Sequence, residues 1–376
     1  MAALRVLQLL PALESGGVEK STLEIAEALT DHGLGSYVAS AGGRLVEPLL
    51  ATGSTHIALD IGRKSPWTLR HIVSLRRLIE QLQPDILHAR SRLPAWIAWW
   101  ALGGLRGRRP RLVTTVHGLN SPGHYSAIMT RGERVICVSD TVRDYVLKHY
   151  PAVDDSRLVT IPRGVDAAAF PFGYVADPAW QAAFFAEYPQ LAGGPLMLLP
   201  GRGTRLKGHA TAIELLARLH AAGCDARLML LGAEEESRSD YLDELREQAR
   251  RLGVAQSLAI SPPRNDVREL MSISRLVLQL SSKPEAFGRT VIEALSLGRP
   301  VLGLDHGGVG ESLRRYFPQG AVPLNSPNHL AVRAIEMMRF PPRMTPIDPP
   351  SKQAMQLATL QLYQSLCCEL LPGVSR

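Results

Sequence analysis

LVLQLSSKPEAFGRTVIEALSLGRPVLGL, residues 276–304, places two short apolar runs, 276–280 and 300–304, on either side of a helical segment at about 287–297. Neither run alternates, which is how strands buried on both faces read, and a helix between two such strands is a crossover that leaves them parallel. The same alternation extends outward. Further strands are expected at 196–199, 226–231 and 258–260, with helices near 208–222, 238–252, 266–273 and 309–316. Toward the N-terminus, strands are expected at 4–10, 36–40, 56–61, 85–89, 111–116, 135–138 and 158–161, with helices at about 18–31, 68–82, 93–103 and 139–149. Between 165 and 194 the strands vanish and Pro171, Pro178, Pro189 and Gly193-Gly194 appear, the composition of a linker. Past Pro346, Pro349 and Pro350, an amphipathic run at about 351–370 predicts a final helix. The fold class is therefore α/β. Two doubly wound domains are expected to face a cleft, over 1–170 and 171–350, with 351–376 packing back on the first.

Composition narrows the function. With 45% apolar and 20% charged residues the chain is globular. Lys and Arg exceed Asp and Glu by 42 − 35 = 7, and the run Arg106, Arg108, Arg109, Arg111 holds no acid, so an anionic partner is favoured. Nucleic acid is not expected, because no basic helix, zinc spacing or aromatic-basic motif accompanies the charge. The cysteines at 137, 224, 367 and 368 have no CxxC spacing, which suits a reducing cytosol. The apolar stretch 4–10 meets Pro11 at once, too early for a signal h-region, and 93–105 is too short to span a bilayer. A cytoplasmic protein is expected, with peripheral contact to the inner membrane through Trp96, Trp99 and Trp100 set against aromatic packing in the core, the more favoured reading of that helix.

Ligands of open parallel sheets sit at the carboxyl ends of strands, so the loops after Leu10, Leu199 and Leu280 hold the candidate site. In Glu14-Ser15-Gly16-Gly17, paired glycines ahead of a helix let amides approach an anion. Residues 201–208 set Arg202 and Lys207 in a glycine-bounded loop, a planar fork and a point charge suited to a diphosphate, without the spacing of a Walker loop. In the third loop Glu285 precedes a helix that carries Glu293, and each carboxylate can accept from two vicinal hydroxyls. A bland role is available to each part: a tight turn, a surface ion pair, a helix-dipole partner.

The segment from Glu285-Ala286-Phe287-Gly288 to Glu293-Ala294, then Gly298-Arg299-Pro300-Val301, resembles the Glu-x7-Glu signature of the family four retaining glycosyltransferases, which have the GT-B fold of two Rossmann-like domains. Gly16-Gly17-Val18-Glu19, Val138-Ser139, Ile161 to Asp166, Gly201-Arg202 with Lys207-Gly208, and Gly307-Gly308 with Glu311 resemble further motifs of that family in the same order. The resemblance implies that Arg202 and Lys207 bind the donor diphosphate, Glu293 the ribose, and Glu285 the transferred sugar. Amides at Gly16, Gly17, Phe287 and Gly288 would assist, and His117 would touch the reacting sugar. It implies no cofactor and no metal, the nucleotide-diphosphate sugar being a substrate, and no Asp-x-Asp motif is present. Arg163 stands where the family usually has Asn and Arg289 where a smaller residue is commoner. With Arg90 and Arg92 in His88-Ala89-Arg90-Ser91-Arg92, these cations imply an anionic glycan or glycolipid acceptor, most simply the lipopolysaccharide core of bacterial relatives with similar segments. A phosphorylase-like or epimerase enzyme is disfavoured, since no lysine loop for pyridoxal is evident. A noncatalytic sugar-nucleotide binder on the same fold is the alternative.

Overall fold

The computed structural model describes residues 3–14, 16–166, 168–234 and 239–368, so Ser15 of the first glycine loop and the last two positions of the predicted final helix lie outside the described residues. The chain divides into two units, residues 1–164 with 350–376, and residues 165–349. In the first unit β1 (Arg5–Leu9), β2 (Gly35–Ser40), β3 (Thr55–Ala58), β4 (Ile86–Ala89), β5 (Arg111–Val116), β6 (Arg134–Cys137) and β7 (Leu158–Thr160) form a parallel sheet in the order β3-β2-β1-β4-β5-β6-β7. Its helices are α1 (Gly17–Asp31), α2 (Val46–Ala51), α3 (His71–Leu82), α4 (Arg92–Gly103), α5 (His124–Ala127) and α6 (Asp140–His149). In the second unit α7 (Pro178–Glu187) leads into β8 (Leu196–Pro200), α8 (His209–Ala221), β9 (Arg227–Leu231), α9 (Ser239–Arg251), β10 (Leu258–Ser261), α10 (Val267–Ile273), β11 (Leu276–Gln279), α11 (Arg289–Ser296), β12 (Val301–Leu304), α12 (Gly307–Tyr316), β13 (Ala321–Val322) and α13 (Pro327–Arg339). Its sheet is also parallel, β10-β9-β8-β11-β12-β13. A last helix, α14 (Lys352–Cys368), returns to the first unit.

Both sheets are buried on both faces, which is why their strands read as unbroken apolar runs. All four residues of β4 and of β11 are buried. The helices cover those faces through stripes such as Ile25, Ala26 and Leu29 of α1. The amphipathic run near the C-terminus packs Met355, Leu360, Tyr363 and Leu366 against Val6, Ile25 and Leu29. Lys352 Nζ pairs with Glu27 Oε2 at 2.5 Å, and Gln356 Nε2 donates to the Glu24 carbonyl at 2.7 Å, fixing α14 along α1.

Three expectations change. The proline-rich linker contains α7, started by the Asp177 carboxylate, which accepts from the amides of Ala179 and Trp180, with Pro178 at the first helical position. The predicted strand 56–61 stops at Ala58. The aromatic packing expected of α4 is only partial, because Ala95, Ile97, Ala98 and Ala101 form its buried side while Trp99 and Trp100 are exposed.

Candidate functional site

β8 and β11 are neighbours, so the loops leaving their carboxyl ends lie side by side, joined where the Ser282 amide donates to the Leu206 carbonyl at 2.8 Å. Lys207 closes a short 3-10 turn, Arg205–Lys207, and its Nζ lies 2.6 Å from Glu285 Oε1. The Ser281 hydroxyl donates to the same carboxylate oxygen. Both members of the ion pair keep about a quarter of their side-chain surface exposed (28% and 23%), open to a ligand yet held in place. Arg202 is exposed and has no ion-pair partner among the described residues. Arg205 turns away to Glu244, at 2.5 Å, and lies over the Tyr241 ring.

Gly288 caps α11 with φ 77°, a left-handed conformation that suits glycine. The first amides of that helix point at the space ahead of it, as helix starts that bind anions do. Glu293 occupies the second turn of α11, is 9% exposed, and has Arg289 Nε 3.8 Å from its Oε1. The charge of Arg289, expected to add to a basic surface, is therefore set against Glu293. The late glycines support the loop from behind. The Gly308 amide donates to the Glu285 carbonyl at 2.7 Å, and a Cβ on Gly308 would stand 2.4 Å from Phe287 Cα.

In the first unit α1 starts at Gly17 with Gly16 as its cap. Glu19 Oε2 lies only 2.7 Å from where a Gly16 side chain would begin, which puts one of the protein's own carboxylates beside this helix start. Nearby, Glu19, Arg90, Arg92, Ser91, His117 and Asn120 line a cavity of about 310 Å³.

Two of the three cations assigned to an acceptor are internal. Arg90 is 2% exposed, donating from Nε to Gln8 Oε1 (2.7 Å) and from Nη1 to Ser21 Oγ (2.9 Å). Arg163 is 9% exposed, donating from Nη1 to Ser21 Oγ (2.6 Å) and from Nη2 to His117 Nδ1 (2.5 Å). Positive charge near the cleft was expected of both, and both guanidinium groups are buried: Arg163 donates from both Nη atoms to internal acceptors, while Arg90 does so from Nε and Nη1 and its buried Nη2 has no hydrogen-bond partner. Arg92 remains half-buried at the cavity wall, 3.2 Å from Ser126 Oγ and over the Tyr125 ring. Burial and the guanidinium groups of Arg163 and Arg90 hold the His117 ring well below the ordinary imidazole range. His88 is depressed likewise, mainly by burial, between Tyr363 Oη (2.5 Å from Nδ1) and Thr115 Oγ1 (2.6 Å from Nε2). The sequence reading missed Gln8, Ser21, Ser281 and Tyr363. Only Ser281, directly after β11, stood where position along the chain could have flagged it.

The basic run is partly neutralised from a distance, Arg108 by Asp85 and Arg111 by Glu133, leaving Arg106 and Arg109 exposed. Among the described residues no cluster of three or more His, Cys, Asp or Glu side chains could hold a metal, and no helix is long and apolar enough to cross a membrane.

Residues 15–169 match the family model of Glycosyltransferase Family 4, and residues 182–346 match that of Glycosyl transferases group 1. Among curated relatives, an alpha-maltose-1-phosphate synthase of Mycolicibacterium smegmatis is 28% identical over 48% of this chain and 45% of its own. A D-inositol 3-phosphate glycosyltransferase of Nocardia farcinica is 27% identical over 61% of this chain and 53% of its own. The chain thus spans about half the length of the curated relatives it matches. A glycosyltransferase structure from Rickettsia africae aligns over 97% of this chain and 99% of its own, at 27% identity and a TM-score of 0.82. An Anabaena protein, HepE, solved with UDP-glucose, aligns over 97% and 99% at 19% identity and a TM-score of 0.73, a likeness of fold alone. With one family model on each half, the two together running from residue 15 to residue 346, the chain belongs to the glycosyltransferases of the GT-B fold.

Proposed function

We propose that this protein transfers a sugar, with retention and without a metal, from a nucleotide-diphosphate sugar to a phosphorylated glycan or glycolipid. The observation that carries the reading is the pairing of Lys207 with Glu285 at 2.6 Å beside an exposed Arg202 and the start of α11. Breaking a glycosidic bond to a diphosphate leaves two phosphoryl groups gathering negative charge, and cations and amides fixed in advance stabilise it without reorganising. Arg202 and Lys207 take the diphosphate. Glu285, oriented by Lys207 and Ser281, accepts hydroxyls of the transferred sugar, while Glu293, held by Arg289, accepts those of the ribose. His117 contacts the reacting sugar. No second carboxylate at the sugar is needed if the acceptor attacks from the face the diphosphate leaves, with a phosphate oxygen taking its proton.

Arg92 at the cavity wall is the cation best disposed for a phosphorylated acceptor. The relative from Nocardia farcinica is named for a phosphorylated acceptor, inositol 3-phosphate, which supports that class. Lipopolysaccharide core is one narrower form of it. The same reading places the enzyme on the cytoplasmic side of the inner membrane, with exposed Trp99 and Trp100 near Arg106 and Arg109 against an anionic surface.

The test is release of nucleoside diphosphate from a panel of nucleotide sugars, with inositol phosphate, phosphorylated core oligosaccharide or a neutral glycan as acceptor. Acceptor-dependent release supports the reading, and phosphorylated acceptors should exceed neutral ones at least tenfold. Tight binding of donor with no turnover on any acceptor would establish the noncatalytic alternative.

A further inference from the structure

We propose that Arg163 is a positioning residue that fixes His117 as a neutral imidazole with its proton on Nε2, so that His117 serves the substrate only as a hydrogen-bond donor. The inference deepens the role given to His117 above and rests on that role only for its consequence in catalysis.

A guanidinium has five N–H donors, no acceptor, and does not lose its proton in a protein. Arg163 Nη2 stands 2.5 Å from His117 Nδ1 and 3.5 Å from Nε2, so Nδ1 is the ring nitrogen it meets more closely. The nitrogen facing it must therefore present a lone pair, which leaves the one ring proton of the neutral imidazole on Nε2. A second ring proton would have to sit on Nδ1 and point into the guanidinium, so the imidazolium form is excluded by the same contact.

Arg163 itself has little freedom to move away. Its Nη1 donates to Ser21 Oγ at 2.6 Å and touches Met355 Sδ at 3.7 Å, tying the loop after β7 to α1 and α14. Ser21 Oγ also accepts from Arg90 Nη1 at 2.9 Å, so both lone pairs of one hydroxyl are taken by guanidinium groups. Arg90 in turn is held by Gln8 Oε1 at 2.7 Å.

The charged and titratable groups around His117 agree with this state. Arg90 and His88 belong to β4 and its end, Arg92 begins α4, and Tyr363 on α14 holds His88. Glu24 acts on Arg90 from α1. Among the described residues Glu19 is the one carboxylate lining the cavity, which Arg90 and Arg92 also line. Burial and the two guanidinium groups outweigh it, holding the ring well below its usual range. The substrate atom opposite Nε2 must then be an acceptor, a hydroxyl, carboxylate or phosphate oxygen.

The experiment is proton–nitrogen correlation NMR of the full chain labelled at the histidine ring nitrogens, with His117 assigned by the loss of its signals in His117→Asn. In the native protein the ring should show an unprotonated Nδ1 and a protonated Nε2, unchanged from pH 8 down to about 5. In Arg163→Met the same ring should take up its second proton at a higher pH than in the native protein, while burial and Arg90 still hold it below its ordinary value. Arg163→Lys, which restores a positive donor, should return the native pattern. Arg163→Asn can donate or accept and should give a mixture of the two neutral forms.

Native circular dichroism of the variants separates these outcomes from unfolding. If neutral His117 is required, kcat/KM of Arg163→Met should fall further between pH 8 and 5.5 than that of the native protein. The native profile should stay flat over that span. A proton on Nδ1 in the native protein, or a His117 titration indifferent to Arg163, overturns the proposal. If the NMR pattern holds but His117→Asn transfers sugar normally, the inference stands and the contact of His117 with the sugar fails.

Discussion

Replacing Gly308 by Ala tests whether the Glu285 loop must be held where α12 puts it. The added Cβ would lie 2.4 Å from Phe287 Cα, 2.6 Å from Phe287 N and 2.6 Å from the Ala286 carbonyl oxygen. All three are backbone atoms, so no side chain can swing aside. Since carbon atoms rest at about 3.5 Å or more from one another, the loop must retreat by about 1 Å. The bond from the Gly308 amide to the Glu285 carbonyl, 2.7 Å long, then stretches or breaks. A displacement of about 1 Å at reacting groups costs on the order of a hundredfold, equivalent to about 2.7 kcal/mol in the transition state. Steady-state release of nucleoside diphosphate should therefore show kcat/KM about a hundredfold lower. Overpacking of about 1–3 kcal/mol should lower the thermal midpoint by a few degrees with the fold retained. Gly103→Ala, on α4 with nothing within 4 Å of the new Cβ, is the control and should leave both quantities near native. Gly308→Ala with kcat/KM within twofold of native would refute the claim that this loop is positioned for chemistry.

Lys207→Ala should reduce kcat/KM by roughly 10²–10³, as for loss of one charge-stabilising donor, while costing under about 1 kcal/mol of stability because the pair with Glu285 is partly exposed; donor kinetics and thermal melts check the split. Arg90→Ala should act on stability rather than on acceptor KM. It deletes two buried charge-assisted hydrogen bonds, to Gln8 and Ser21, at about 1.5–3 kcal/mol each, so urea denaturation should show a loss of about 3 kcal/mol or more. Arg92→Ala, by contrast, should raise acceptor KM with little loss of stability. Burial pushes His209 of α8 down to about 4. Below the ordinary imidazole value of about 6.5 the unfolded chain takes up a proton that the folded ring refuses, so stability falls as pH drops from 6.5 toward 4. At about 1.36 kcal/mol per unit the loss approaches roughly 3 kcal/mol, and urea midpoints for native and His209→Gln should diverge across that window. Tyr363→Phe removes the hydroxyl that meets His88 Nδ1 in a buried site, an expected cost of about 1–3 kcal/mol readable in the melt.

The parallel sheets were legible because a strand covered on both faces cannot hide its apolar run, and residues 276–304 show two of them around a helix. Lys207 and Glu285 were legible for a related reason: each follows a strand, and position after a strand fixes the end of the sheet it occupies. Short elements escaped. α2 has six residues with Pro48 inside it, and β13 has two, too few for any period to emerge. The helix α7 was hidden by its own start signal, since Asp177-Pro178 within a proline-rich stretch reads equally as a turn. The burial of Arg90 and Arg163 was not legible, because a sequence gives an arginine no mark of it. What decides their exposure is Ser21, 69 and 142 residues away along the chain, and Gln8. Tyr363 is 275 residues from His88, a separation over which spacing carries no information.

The return of α14 to the first unit governs the order in which the protein can be made. Residues 165–349 are one unbroken stretch and can complete their fold as they leave the ribosome, at roughly 5–20 residues per second. The first unit emerges earlier but waits. Until residues 352–368 are synthesised, Val6, Ile25 and Leu29 lack the helix that covers them and His88 lacks its tyrosine. The unit translated earlier is thus the later of the two to mature, and during that interval its uncovered apolar face is open to misassociation.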